Sequence, residues 1–246
     1  MIYSIGLLPI DVPVFRRYIS DMQTYDQHVD NGSNGNGPLK RDLAYSAIST
    51  AIIRLKLAPL SLIDEAALCA QLGLGRTPVR EALQRLMHEG LVTVYPRRGA
   101  IVTPISALDA EHLAQARLIW EPGIARRAAV VGRDGHWEAL ERVLGQTPPT
   151  FACADDVAKG TEVDQRFHGG IAEATGNPYL IEIVDSHLRR RSRLSFLFFR
   201  HGIFDPATDQ HYRILACLRA GDGDAAAALI ERHINLTREK YARVFM

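Results

Sequence analysis

Between Gly73 and Thr103 the chain spells out a helix and a hairpin in succession, and few folds accept that order. Thr77 reads as an N-cap and Pro78 as the first helical residue, where its missing N–H costs nothing. Leu83, Leu86 and Met87 give this helix its apolar face, and Gly90 is a good stop. Two β-runs follow, Leu91–Tyr95 and Ala100–Thr103, joined by Pro96-Arg97-Arg98-Gly99. Upstream, Leu43, Ala47, Ile48, Ala51, Ile52 and Leu55 recur at helical spacing, and Pro59 ends that run. Asp64 is placed to cap a short second helix, with Glu65 favourable in its first turn and Gly73 at its end. The connection Leu72-Gly73-Leu74-Gly75-Arg76 is short and glycine-containing, as a tight helix-helix turn requires.

Three helices followed by a basic hairpin is the order of a winged helix-turn-helix. Charge agrees with that reading. The segment 39–105 holds nine Lys/Arg against five acids, a local charge of +4 in a chain whose total is +1. A concentration of positive charge in one segment suits a phosphate-bearing partner. A recognition helix enters the major groove with its N-terminal end, which here carries Arg76, Thr77 and Arg80. An arginine fork can pair with guanine N7 and O6, and a threonine hydroxyl with free first-turn N–H groups can hold a phosphate. Arg97 and Arg98 at the hairpin tip would reach the DNA backbone or the minor groove. Any one of these arginines is also what a solvated surface looks like. Four of them, with Thr77, aligned with a helix start, a stop and a basic hairpin are a stronger signal.

The run from Glu65 to Gly99 resembles the winged-helix domain of the GntR transcription regulators. The resemblance is carried by Glu65-Ala66-Ala67-Leu68, Leu72-Gly73, Arg76 to Leu83, Arg85-Leu86, Glu89 to Val92 and Arg98-Gly99. It implies that a homodimer binds a double-stranded DNA operator built as a short inverted repeat, with repression as the usual outcome. Gly99 enters the set of DNA-contacting positions on this resemblance, beside Arg76, Thr77, Arg80, Arg97 and Arg98. Two departures stand out. The turn after the first helix reads Pro59-Leu60 where the family has Pro-Gly, and Gly75 stands where the family prefers serine.

The rest of the chain divides on both sides of this segment. Residues 1–38 end in Asn31-Gly32-Ser33-Asn34-Gly35-Asn36-Gly37-Pro38, a composition expected of a flexible appendage and linker. The winged unit is placed at 39–105. From residue 106 to 246 the pattern is helical throughout, with helices expected near 108–131, 136–146, 155–175, 178–201, 206–220 and 222–245. Short breaks between long helices predict an antiparallel bundle. The fold class is therefore mostly α, a winged helix-turn-helix followed by an all-α antiparallel helical bundle. The three cysteines, Cys69, Cys153 and Cys217, are scattered, which argues against a disulfide framework and for a reducing cytoplasm. No apolar run reaches the ~20 residues of a membrane span, and the N-terminus lacks the pattern of a signal peptide.

Within the bundle, Asp164 and His168 are four apart and project from one helix face. His211 lies ten residues before the Gly221-Asp222-Gly223 turn and His233 ten after it, so an antiparallel pair brings them to one height. Three imidazoles and a carboxylate suit a divalent metal, with zinc favoured and nickel or manganese acceptable. The remaining histidines (His28, His88, His112, His136, His187 and His201) read as ordinary surface or packed residues. The same region resembles the FCD domain of one GntR branch, through Arg117 to Pro122, Asp164 to His168, Ala174 to Pro178, and His211 to Asp222 leading to His233. That resemblance implies a metal held by Asp164, His168, His211 and His233. It also implies a small organic acid effector completing the metal's coordination beside Arg117. Glu121, four residues on, offers Arg117 a plain ion pair as an alternative role. Within Arg189-Arg190-Arg191-Ser192-Arg193 one arginine turned inward would help to bind an acid, and spacing does not select which.

Two other functions compete with a regulator. A site of three histidines and an aspartate can activate water for hydrolysis, but no further carboxylate or histidine stands at an obvious spacing for a general base. A regulator with a purely structural metal and no small-molecule sensing is the second. The chain is expected not to be an enzyme.

Overall fold

The computed structural model describes residues 39–95 and 99–245. The expected appendage 1–38 and the wing-tip residues Arg97 and Arg98 lie outside them. The chain divides into two compact units, one ending at Pro104 and one beginning at Ile105.

The first unit holds α1 (Lys40–Ile53), α2 (Glu65–Leu72), α3 (Arg76–His88), β1 (Val92–Tyr95) and β2 (Gly99–Val102). Helix α1 buries Ala44, Ala47, Ile48, Ala51 and Ile52, a stripe at the helical period that packs on α3. It stops before Pro59, contrary to the sequence expectation. Leu55 takes a left-handed φ of 56°, and the Lys56 N–H returns to the Ala51 carbonyl at 2.9 Å, which closes the helix end. Leu55 is buried, so core packing offsets the backbone strain. Asp64 caps α2 as expected, accepting from the Ala66 and Ala67 N–H groups at 2.9 and 3.0 Å. Gly73 ends α2 with a φ of 64° that a side chain would strain.

The start of α3 differs from the expectation. Gly75, not Thr77, is the N-cap, and no side chain caps the helix. Gly73 and the extended Gly75 turn the chain early enough for the helix to begin at Arg76. Pro78 still falls in the first turn, where N–H groups have no helical partner to lose. The buried face is Val79, Ala82, Leu83 and Leu86, while Met87 is partly exposed at 38%. β1 and β2 pair antiparallel with Val92 opposite Val102 and Tyr95 opposite Gly99. Ile63 N–H donates to the Ala100 carbonyl at 2.8 Å, so the segment before α2 lies alongside the hairpin.

The second unit is helical: α4 (Ala107–Val131), α5 (Asp134–Leu144), α6 (Ala154–Glu173), α7 (Pro178–Arg200), α8 (Thr208–Arg219) and α9 (Gly223–Phe245). Ser106 and Asp109 cap α4 reciprocally. Pro122 cannot donate to the preceding turn, yet α4 runs through it because its length is packed along α9. Gly221, with a φ of 73°, turns α8 back into α9. Phe167, Leu144, Ile214, Leu218, Ile230 and Ile234 fill the core among the helices. Such a core holds α4, α6, α8 and α9 in fixed register, which is what a multi-helix site needs.

Candidate functional site

Four side chains from three helices meet inside the second unit. Asp164 and His168 come from α6, His211 from α8 and His233 from α9, and one ligand-type atom from each lies within 4.8 Å of the others. The three ring centroids stand 4.9, 5.3 and 5.4 Å apart. All three rings are buried. The Nε2 atoms of His168, His211 and His233 are each buried without a hydrogen-bond partner among the described residues. The two nearest to the carboxylate lie 3.7 Å (His168) and 3.6 Å (His211) from Asp164 Oδ1.

The outer sides of the rings explain this. His168 Nδ1 is 3.1 Å from Glu121 Oε2, and an ionised carboxylate only accepts, so Nδ1 donates outward and Nε2 is the atom turned to the cluster. His233 Nδ1 likewise donates to the Gln210 side-chain oxygen at 3.1 Å. Glu121 is itself gripped by Arg117, whose Nε and second nitrogen both reach the carboxylate, the latter at 3.2 Å. Burial pushes the Glu121 carboxyl upward, but the Arg117 charge and the His168 contact outweigh it and hold it well below the ordinary value. Burial also drives His211 and His233 well below the usual imidazole value, and neighbouring cations add to this. Three imidazoles whose Nε2 atoms converge beside a carboxylate form a donor set that fits a divalent metal. Three buried ring nitrogens without partners cost ~1–3 kcal/mol each when left unmet, and an ion among them would remove that cost.

Beside the cluster lies a cavity of about 40 Å³, lined on its polar side by Thr161, Asp164, Arg191, His233, Lys240 and Tyr241. Arg191 and Arg193 are both buried, and Arg191 is the one that lines the cavity, which spacing did not select. Both its terminal nitrogens reach Asp164, one of them at 3.3 Å from Oδ1. Burial and the like charge of Arg117 lower it to about 9, which leaves it cationic at neutral pH. Arg117, expected beside the effector, is not among the residues that line the cavity. It is buried against Glu121 and hydrogen-bonded to Tyr241, so the alternative ion pair is the contact seen.

Sequence reasoning missed Glu121 as the partner of His168, Gln210 as the partner of His233, and Thr161 and Tyr241 in the cavity wall. Only Thr161 left a signal, standing three before Asp164 and seven before His168 on one helix face.

In the first unit, Arg76, Thr77 and Arg80 are all exposed at the N-terminal end of α3, together with Gln84 one turn on. Arg80 Nε meets Glu65 Oε2 at 2.8 Å across the helix-helix turn. Gly99 opens β2 with a φ of 85°.

Residues 40–102 match the family described as bacterial regulatory proteins, gntR family, and residues 112–236 match the FCD domain. The chain belongs to the gntR family, in its FCD-containing branch. It is a DNA-binding transcription regulator with an effector-binding domain, not an enzyme. An HTH-type transcriptional regulator in an unstable DNA locus of Streptomyces ambofaciens is 28% identical over 220 residues, covering 85% of this chain and 88% of that protein. The HTH-type transcriptional repressor RspR of Escherichia coli is 24% identical over 220 residues, with 88% and 94% covered. Among solved structures, E. coli McbR/YncC superposes with a TM-score of 0.69 at 18% identity, covering 85% of this chain and all of that one. A GntR regulator from Rhodococcus gives a TM-score of 0.68 at 23% identity, with 83% and 98% covered. These two likenesses speak for the fold of the regulator. Among the described residues, no helix is long and apolar enough to cross a membrane.

Proposed function

We propose that this regulator is a repressor whose grip on an inverted-repeat operator is controlled by a small organic acid bound at a divalent metal in the FCD domain. Asp164, His168, His211 and His233 hold the ion, with zinc favoured by the imidazole-rich donor set over nickel or manganese. The bound ion supplies a Lewis-acidic position for a carboxylate oxygen. Glu121 and Gln210 orient two of the imidazoles, and Arg117 keeps Glu121 ionised and Tyr241 in place behind the cavity. Arg191, already cationic beside Asp164, faces the acid. Arg76, Thr77, Arg80 and Gly99, together with Arg97 and Arg98, contact the operator as a homodimer presents two copies of α3.

One observation carries the reading: three buried, unpartnered Nε2 atoms converge with a carboxylate at the edge of a cavity that also holds a buried cation. Repression is supported by the E. coli relative RspR, a transcriptional repressor. Control follows from linkage, since an effector shifts operator affinity only by the difference in its affinity for the two operator-binding states. The experiment is a thermal-shift screen of the metal-loaded protein against short carboxylates, followed by operator binding by anisotropy with each hit. A ligand at ~100 times its Kd stabilises the native state by about 2.7 kcal/mol. A hit that vanishes in His211→Ala and weakens operator binding is the expected result. An acid that saturates the protein without moving operator affinity would refute control, and a flat panel with the metal still stabilising would make the ion structural.

A further inference from the structure

The metal ligands account for part of the cavity wall and leave the rest of that wall unexplained. Thr161 lines that wall, and its hydroxyl is buried without a hydrogen-bond partner among the described residues. A helical threonine ordinarily returns its hydroxyl to the carbonyl one turn back, so an unmet one inside a cavity points to a ligand. Its place on α6, one turn before Asp164, puts the hydroxyl on the same face as the metal ligands. From α9, Lys240 lines the cavity too, with Nζ 2.9 Å from Asp205 Oδ2 and two ammonium hydrogens left over. Phe198 and Phe204 close the apolar side.

Charge and size narrow what fits. Arg191 and Lys240 offset Asp164 and Asp205, so a divalent ion leaves the site with a surplus of positive charge. The cavity of about 40 Å³ takes about three water molecules, whose combined bulk of ~90 Å³ is that of a short acid. A long or branched polyacid does not fit that space.

We propose that Thr161 and Lys240 form a second oxygen-binding subsite, and that the effector is a short acid carrying a second oxygen group on a frame of about three carbons. One oxygen end meets the metal and Arg191. The other end, a hydroxyl or a second carboxylate, takes the Thr161 hydroxyl and the free Lys240 hydrogens. This inference rests on the effector reading of the same cavity, and the test separates the two.

Propionate, lactate and malonate share a three-carbon frame and differ in the second oxygen group. Their Kd values are measured by calorimetry on the metal-loaded full chain, for the native protein, Thr161→Val and Lys240→Met. Lactate and malonate are expected to bind at least ~10-fold more tightly than propionate, about the worth of one well-made hydrogen bond to a charged group. Thr161→Val, nearly isosteric and relieved of an unmet hydroxyl, is expected to keep its Tm and to reduce lactate to the propionate level. Lys240→Met does the same for malonate, and propionate stays within ~2-fold in both variants. Equal binding of the three acids, or equal weakening of all three by Thr161→Val, overturns the second subsite and leaves the effector reading standing. Binding of metal with no binding of any acid overturns both.

Discussion

The two functional regions hold their charge in opposite states. On α3, Arg76, Thr77 and Arg80 are exposed, and Arg80 has one exposed carboxylate for company. In the FCD domain, Arg117, Glu121, His168, His211 and His233 are buried and tied into one chain of contacts. The first arrangement costs the fold little, because water already satisfies those groups. Its affinity is added when phosphates and base edges arrive, one modest contact at a time. The second is committed before any ligand arrives, because every buried charge needs its partner for the domain to be stable. Substitutions should therefore separate cleanly: DNA affinity without stability in one region, stability and ligand affinity together in the other.

Glu121→Ala tests the coupled region most severely. It strands Arg117 as a buried charge and frees His168 Nδ1. Breaking one partner of a buried pair costs about 3–5 kcal/mol, so the FCD transition in calorimetry should drop sharply while the winged-helix transition stays. An unchanged FCD transition would mean that water reaches Arg117 and the contrast is false. Metal removal comes next. Chelation should lower the same transition by the linkage term, about 2.7 kcal/mol when metal stands at 100 times its Kd. His211→Ala should abolish that metal dependence, and a chelator that shifts both transitions equally would contradict a site confined to one unit.

The exposed region is tested by Arg80→Ala. Loss of a bidentate base contact is worth ~1–3 kcal/mol of operator affinity. The exposed pair with Glu65 contributes at most ~1 kcal/mol to the fold. Operator binding should therefore weaken about tenfold or more while Tm barely moves. A large fall in Tm with intact DNA binding would reverse the roles of the two partners.

The same contrast decides what was legible in the sequence. Helix α3 announced itself through Gly73, Pro78 and Gly90, because turns and stops are local chemistry. Its first residue did not, because Thr77 satisfies the rule for a cap and only the backbone at Gly73 and Gly75 shows that the helix has already begun. Likewise Pro59 looked like the end of α1, and a buried Leu55 in a left-handed conformation ended it sooner. The convergence of Asp164, His168, His211 and His233 was legible because two are four apart on one helix and two mirror each other about a turn. Glu121, Gln210, Tyr241 and Arg191 were not, since each meets the site from an element whose neighbours only packing decides. The choice of Arg191 from a run of four arginines depends on which side of α7 faces α6, and no local pattern carries that.

The smallest effect tests the boundary between the two regimes, at Asp205. This carboxylate is about half exposed, accepts from the Ala207 N–H at 2.8 Å and pairs with Lys240. Burial raises its titration point, but the Lys240 hydrogen bond, the Ala207 N–H and the lysine charge together bring it below the ordinary value. A carboxyl lowered in the folded state contributes stability above its unfolded value of about 3.9 and loses it as pH falls through the folded value. Asp205→Asn keeps an oxygen for Ala207 and removes the charge. At neutral pH it should cost under ~1 kcal/mol, since solvent screens so exposed a pair. The Tm gap between native and variant should then close as pH falls below about 4. A gap that persists unchanged at pH 3 would show that the side-chain cap on Ala207, rather than the charge on Lys240, is what Asp205 contributes.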